Sequence, residues 1–150
     1  MNIEIGKYKG ESVETVVLKH PDYVIWVLSI PSPTGQLAEM KIEMERLIEV
    51  FDRKPFKKRC SDENCGKPAT RFTIHGRFLA PFFWCDGCDP YRSGAVDGKL
   101  SEIRTYREAL KFCDIPDEHK INHQVMITKI ARAKGLPDRA RKEAVEAFFL

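Results

Sequence analysis

The chain has 150 residues and a mass of 17.3 kDa, room for one ordinary domain or two small ones. Hydrophobic residues make up 43% and charged residues 31%, which excludes a disordered tail and a membrane protein. The net charge of +3 is too mild to define a nucleic-acid partner by itself.

Ile3 and Ile5 alternate with polar residues and predict a short strand, followed by the glycine-bounded turn Gly6-Lys7-Tyr8-Lys9-Gly10. Ser12 is placed to cap a short helix through about Leu18. Pro21 suits the first position of a second helix. Its Tyr23, Val24, Trp26, Val27 and Leu28 are too dense for a solvated face, so this segment, with Trp26, is expected in the core. The longest apolar run, Tyr23 to Pro31, is far short of the roughly 20 residues of a membrane span. From Gln36 to about Arg53, Leu37, Met40, Met44, Leu47, Ile48 and Phe51 form a helical stripe, and Glu39, Glu43, Glu45 and Glu49 lie off it. Pro55 ends that helix. A cysteine-rich block runs from about Lys57 to Tyr91, with a hairpin expected between 70–74 and 77–79 around His75-Gly76. A loop is expected over 94–98. The last third reads as helices over about 101–113, 118–134 closed by Gly135, and 138–149.

The cysteines are the strongest chemical signal. Cys60 and Cys65 are separated by four residues, Cys85 and Cys88 by two, and nineteen residues lie between the pairs. Two thiolates a few residues apart fit one tight turn, and two such turns can complete the tetrahedron of one Zn²⁺. Gly66 and Gly87 let the backbone bend so that N–H groups approach the sulfurs. The gap is long enough for a hairpin that carries the second turn over the first. This is the outline of a four-cysteine zinc ribbon with one structural zinc, since four sulfurs leave no open position for water. His75, at the hairpin tip, is a weaker competitor as a ligand. Cys113 has no cysteine near it in sequence and is expected as a buried small apolar residue. An odd cysteine count with close pairs points to metal ligation in a reducing compartment. No secretory signal is visible in Met1–Lys7, so a cytoplasmic location is expected.

The order Ile5-Gly6-Lys7-Tyr8-Lys9-Gly10, then Pro21-Asp22-Tyr23-Val24-Ile25-Trp26-Val27-Leu28, resembles the small C-terminal domain of exodeoxyribonuclease X and its stand-alone relatives. The resemblance covers about residues 3–30. Nothing resembles the exonuclease domain with its acidic metal-binding motifs, so nuclease activity does not carry over. The resemblance implies an accessory module of nucleic-acid-processing proteins, often bacterial or phage.

Charge is unevenly spread. Residues 1–52 carry five basic and nine acidic side chains, residues 53–100 ten and five, and residues 101–150 ten and eight. The basic middle opens with Arg53, Lys54, Lys57, Lys58 and Arg59, uninterrupted by an acid and running straight into the first cysteine pair. Such a stretch either tracks phosphates or is a solvated linker. Lys7 and Lys9, with Tyr8 as a stacking surface, either meet a phosphate backbone or solvate a turn. Arg71 and Arg77 interleave with Phe72, Phe78, Phe82, Phe83 and Trp84, a pattern suited to single-stranded nucleic acid. Phe82, Phe83 and Trp84 cannot all point inward from a strand, so at least one faces another module or a partner. Lys129, Arg132, Lys134, Arg139, Arg141 and Lys142 make the C-terminal helices basic, the usual mark of a solvated face. His119 and His123 sit one helical turn apart. The residue after His119 is Lys120 rather than the Glu of a zinc protease, and no third ligand is evident.

The expected fold is α+β: a small N-terminal module with a long helix (1–52), a zinc ribbon (53–99) and a helical segment (100–150). The expected function is non-enzymatic, zinc-stabilised nucleic-acid binding, with DNA favoured over RNA and no membrane partner. The alternatives are a protein-interaction adaptor docking through the ribbon aromatics, and a metal-dependent nuclease using His119 and His123.

Overall fold

A computed structural model of the chain describes residues 1–75, 80–88, 103–114 and 122–150. Among the described residues, six helices and a two-stranded antiparallel sheet make up an α+β fold. The first ten residues fold back locally and do not form the strand expected from Ile3 and Ile5. The chain turns through Gly6 (φ +82°) and Gly10 (φ +94°), so Ile3 bonds Glu11 and Gly10 across a closed loop. Ile3 is buried by this fold-back and Ile5 is left exposed.

Helix α1 (Val13–Lys19) begins where the Ser12 hydroxyl accepts the Thr15 N–H at 3.2 Å. Helix α2 (Pro21–Ser29) has Pro21 in its first turn, as expected. Only Pro21, Val24 and Val27 of α2 are fully buried. These three share one face at a three-residue spacing, so Trp26 points away from the core and is 51% exposed. The expectation of a core Trp26 is therefore corrected: a helix of nine residues in contact on one side buries one face only. Helix α3 (Gly35–Arg53) buries Met40, Met44, Leu47, Ile48 and Phe51, the stripe expected from the sequence. It stops at Lys54, one residue before Pro55.

Strand β1 (Arg71–His75) pairs with β2 (Ala80–Trp84), with Phe72 opposite Phe83 and Ile74 opposite Pro81. The expected return strand over 77–79 lies outside the described residues, as do Phe78 and the loop over 94–98. Ile103 exchanges two backbone hydrogen bonds with Phe72, 2.9 and 3.2 Å. Holding Ile103 at the edge of β1 delays the next helix, so α4 runs over Tyr106–Cys113, capped by Thr105, rather than from 101. Helix α5 (His123–Ala133) is capped by the Asn122 side chain and closed by Gly135 at φ +112°. Helix α6 (Lys142–Phe148) starts later than the expected 138, because the Asp138 carbonyl is taken by Arg132 at 3.0 Å.

The helices before and after the sheet share one apolar core. Val16 and Val17 of α1 join the α3 stripe and Leu110, Met126 and Val145 from the last three helices. Tyr106 ties the two halves by donating its hydroxyl to the Val17 carbonyl at 2.7 Å inside that core. Each fully buried aliphatic side chain there contributes about 1.5–3 kcal/mol of transfer free energy.

Candidate metal centre

The first cysteine turn is built from short-range hydrogen bonds. The Asp62 carboxylate accepts the Asn64 N–H at 2.9 Å, and its carbonyl accepts the Cys65 N–H at 3.1 Å. Cys60 donates its N–H to the Lys67 carbonyl at 2.8 Å, closing the loop. Gly66 adopts φ +74°, a conformation a side chain would strain. Gly87, also expected to permit a sharp turn, lies outside that left-handed region.

The second turn follows directly on β2. The Phe83 N–H donates to Ser61 Oγ at 2.9 Å and its carbonyl accepts the Ser61 N–H at 2.7 Å. This clamp sets the end of β2, and hence Cys85, over the first turn. Asp86 accepts from Thr70 Oγ1 at 2.7 Å and from the Arg71 guanidinium. The Thr70 bond first, then Arg71, holds the Asp86 carboxyl below the usual range.

Together these bonds gather Cys60, Cys65, Cys85 and Cys88 so that all four sulfurs lie within 4.8 Å of one another. Cys65 and Cys85 Sγ are 3.6 Å apart, far beyond the roughly 2.05 Å of a disulfide. Sulfurs at about 2.3 Å from a common tetrahedral ion stand about 3.8 Å apart, so the spacing fits a bound metal. Burial would raise the Cys85 thiol, but N–H groups of Cys88 and Gly87 outweigh it and bring it to about 7. The neighbouring sulfurs push Cys88 the other way, up to about 12. Four sulfurs so close resist ionising together, a cost that a divalent cation removes. The donor set therefore fits one metal ion with no place left for a substrate. Cys113 stands outside the cluster, half-buried against the core, and burial raises its thiol to about 11.

Seven of the nine cations expected at a nucleic-acid surface fall into three groups. Lys57, Lys58 and Arg59 are exposed, and Arg59 also donates to the Gly66 carbonyl at 2.8 Å. Arg53 is exposed, and Lys54 is half-buried with Nζ 4.7 Å from the Phe148 ring. Lys7 and Lys9 are exposed beside a half-buried Tyr8, whose ring stacks on His20 at 4.0 Å and meets Tyr23 edge-on. Tyr23 in turn lies 5.5 Å from Trp26. Arg71, by contrast, is buried and paired with Asp86, its charge used inside the cysteine block. Arg77 lies outside the described residues.

Of the ribbon aromatics, Phe72 and Phe83 pack with Phe56 at 5.6–6.1 Å between ring centres. Phe82 is 42% exposed and stacks at 6.4 Å on Trp84, whose indole N–H donates to Thr73. One aromatic of the Phe82–Trp84 run thus faces outward.

His119 lies outside the described residues. His123 has both ring nitrogens engaged, Nδ1 by Asp22 and Nε2 by Asp114 at 2.7 Å. Neither nitrogen is left to ligate a metal or take a substrate proton. Sequence spacing could not reveal this bridge, because Asp22 is 101 residues away. Lys134, expected on a solvated face, is 3% exposed and donates to the Phe51 carbonyl at 2.6 Å.

Comparison with protein-family models, curated proteins and solved structures gave no match. Among the described residues no helix is long and apolar enough to cross a membrane.

Proposed function

We propose that this protein is a non-catalytic nucleic-acid-binding accessory protein whose central block is held by one structural Zn²⁺ on Cys60, Cys65, Cys85 and Cys88. Zinc is the favoured metal because four thiolates in a closed tetrahedral set are its usual structural shell. When bound, the ion supplies rigidity rather than chemistry. The observation that carries the reading is the exposed run Lys57, Lys58, Arg59, which enters the first cysteine turn without an intervening acid. Cations held on a rigid turn lose less conformational entropy on meeting phosphates than cations on a loose linker. Lys7 and Lys9 beside Tyr8 and the exposed Trp26 offer a second contact of the kind that stacks bases. The resemblance of residues 3–30 to the exodeoxyribonuclease X C-terminal domain agrees with this role, and DNA is the favoured partner.

The test is fluorescence anisotropy with single-stranded DNA, duplex DNA and RNA over a salt series, with and without a chelator. Binding should weaken steeply with salt, with a log–log slope of about −0.7 per phosphate contacted on a single strand. A flat salt response, or no binding at low salt, removes the reading. The exposed Phe82 over Trp84 favours one rival, a protein-interaction adaptor. That rival predicts a partner complex that survives nuclease and high salt and is lost in Phe82→Ala.

A further inference from the structure

Where the end of α3, the 54–57 segment, the turn after α5 and helix α6 meet, the surface opens into a cavity of about 280 Å³. Lys54, Lys57 and Lys134 line it together with Leu136, Pro137 and Phe148, and among the described residues no acidic side chain does. We propose that this cavity binds one phosphate group through the three lysines. On the nucleic-acid reading above, on which this part rests, it is a phosphate of the bound strand.

Lys134 is buried and Lys54 half-buried, while Lys57 is exposed but fixed by the fold at its backbone. Lys134 Nζ donates to the Phe51 carbonyl at 2.6 Å and lies 3.4 Å from that of Asp52. It sits between the rings of Phe51 and Phe56, at 4.8 and 5.1 Å. The acid that acts on it, Asp52, is half-buried and already accepts the Tyr106 N–H at 2.8 Å. Lys54 Nζ rests 4.7 Å from the Phe148 ring centre. Lys57 is pinned through its backbone N–H to the Ala133 carbonyl at 2.8 Å, and its side chain crosses Gly135. A Cβ at Gly135 would come within 2.9 Å of Lys57 Cε and 3.0 Å of Nζ. The glycine both closes α5 and leaves room for the ammonium.

Three lysines around one cavity bring like charges together, and the pull of Asp52 on Lys134 offsets only part of that. Burial first, and then Lys54 as a like charge, depress the Lys134 ammonium to about 8. An anion removes that repulsion. A phosphate, with up to two charges and several acceptor oxygens, can meet three point-charge donors approaching from different directions, which a planar carboxylate does less well. The volume is small for a ligand pocket, near the lower end of the roughly 300–1,000 Å³ range, and suits one such group.

The test uses the full, metal-loaded chain labelled with ¹³C-lysine and titrated with inorganic phosphate against a chloride control. The Cε–Hε signals of Lys54, Lys57 and Lys134 should move saturably, while Lys111, exposed on α4, stays put. Lys54→Gln and Lys57→Gln, at positions outside the core, should each weaken phosphate about tenfold, the loss of one charge-assisted hydrogen bond. Shifts that do not saturate, or that Lys111 shares, mean an adventitious ion only and overturn the proposal. Adding a single-stranded oligonucleotide should then displace phosphate from the same three lysines. If the oligonucleotide binds and these signals do not respond, the cavity proposal falls while nucleic-acid binding stands. If phosphate binds and no oligonucleotide does, the cavity stands as a phosphate site while the strand, and the functional reading above, fall.

Discussion

In α3, Met40, Met44, Leu47 and Phe51 are fully buried, and the helices on either side of the sheet close over them. In the cysteine block, only Cys60 and Ala69 are buried across residues 57–70, and every other side chain there but the half-buried Cys65 is exposed. The helical body is held by apolar surface removed from water. The first cysteine turn has almost none to remove, and its backbone hydrogen bonds alone are worth only about 0.5–1.5 kcal/mol each. On the proposed reading, a stretch with so little core and four sulfurs close enough to hold a metal ion keeps its shape through that metal.

Stripping the metal is the sharpest way to test that contrast. With a chelator, or in Cys85→Ser, hydrogen exchange across 57–70 should become fast while the far-UV helical signal survives. Structural zinc contributes about 10–16 kcal/mol in small finger peptides, so the local loss should be complete. If the block stays protected without metal, the division into two regimes is wrong.

A middle-sized effect is expected at Lys134, the charged group inside the helical body. Lys134→Met leaves the Phe51 carbonyl without its donor, a cost of about 1–3 kcal/mol, partly offset by removing a buried charge. Denaturant unfolding should show a net loss near the lower end of that range. The sign with pH follows from the depressed pKa. Between about 8 and the ordinary 10.5 the unfolded chain binds the proton that the folded chain has released. The contribution of Lys134 to stability therefore rises through that window and is lost again as pH falls through about 8. The gap between the natural chain and Lys134→Met should widen from pH 8 to 10. A variant as stable as the natural chain at both pH values would show that the ammonium does not cap α3.

The smallest effect lies at the Asp22–His123–Asp114 bridge, which joins α2, the end of α4 and the start of α5. Burial disfavours the imidazolium, but the hydrogen bonds it donates to Asp22 and Asp114 outweigh that and raise His123 above its ordinary 6.5. A raised folded pKa means stability that is fully present below about pH 6.5 and lost as pH rises through the folded value. Both carboxylates are largely exposed, so the bridge is worth at most about 1 kcal/mol. Thermal melts of His123→Gln should show a small deficit at pH 5.5 that vanishes by pH 8.5. An equal deficit at both would assign His123 a packing role only.

How much was legible depended on the range of the forces involved. The α3 stripe, the Ser12 cap, Pro21 in the first turn of α2 and the Pro55 stop are local, and each was readable from spacing or residue type. The pairing of two cysteine turns was also readable, because metal geometry constrains ligand spacing. The exposure of Trp26 is not legible, because density of apolar residues does not say which face of a short helix finds a partner. The late start of α4 was hidden because it depends on Ile103 bonding Phe72, a contact between distant segments.

The sequence alone therefore determined most of the helices, the four thiols that gather closely enough to hold a metal ion and the uninterrupted basic stretch, all properties of neighbours along the chain. Only the tertiary structure decided that Arg71 and Lys134 turn inward, that Asp22 meets His123, and that Lys54 and Lys57 line the same cavity as Lys134. Those outcomes depend on which distant surfaces bury each other, and burial, unlike helical periodicity, leaves no mark on the residues next door.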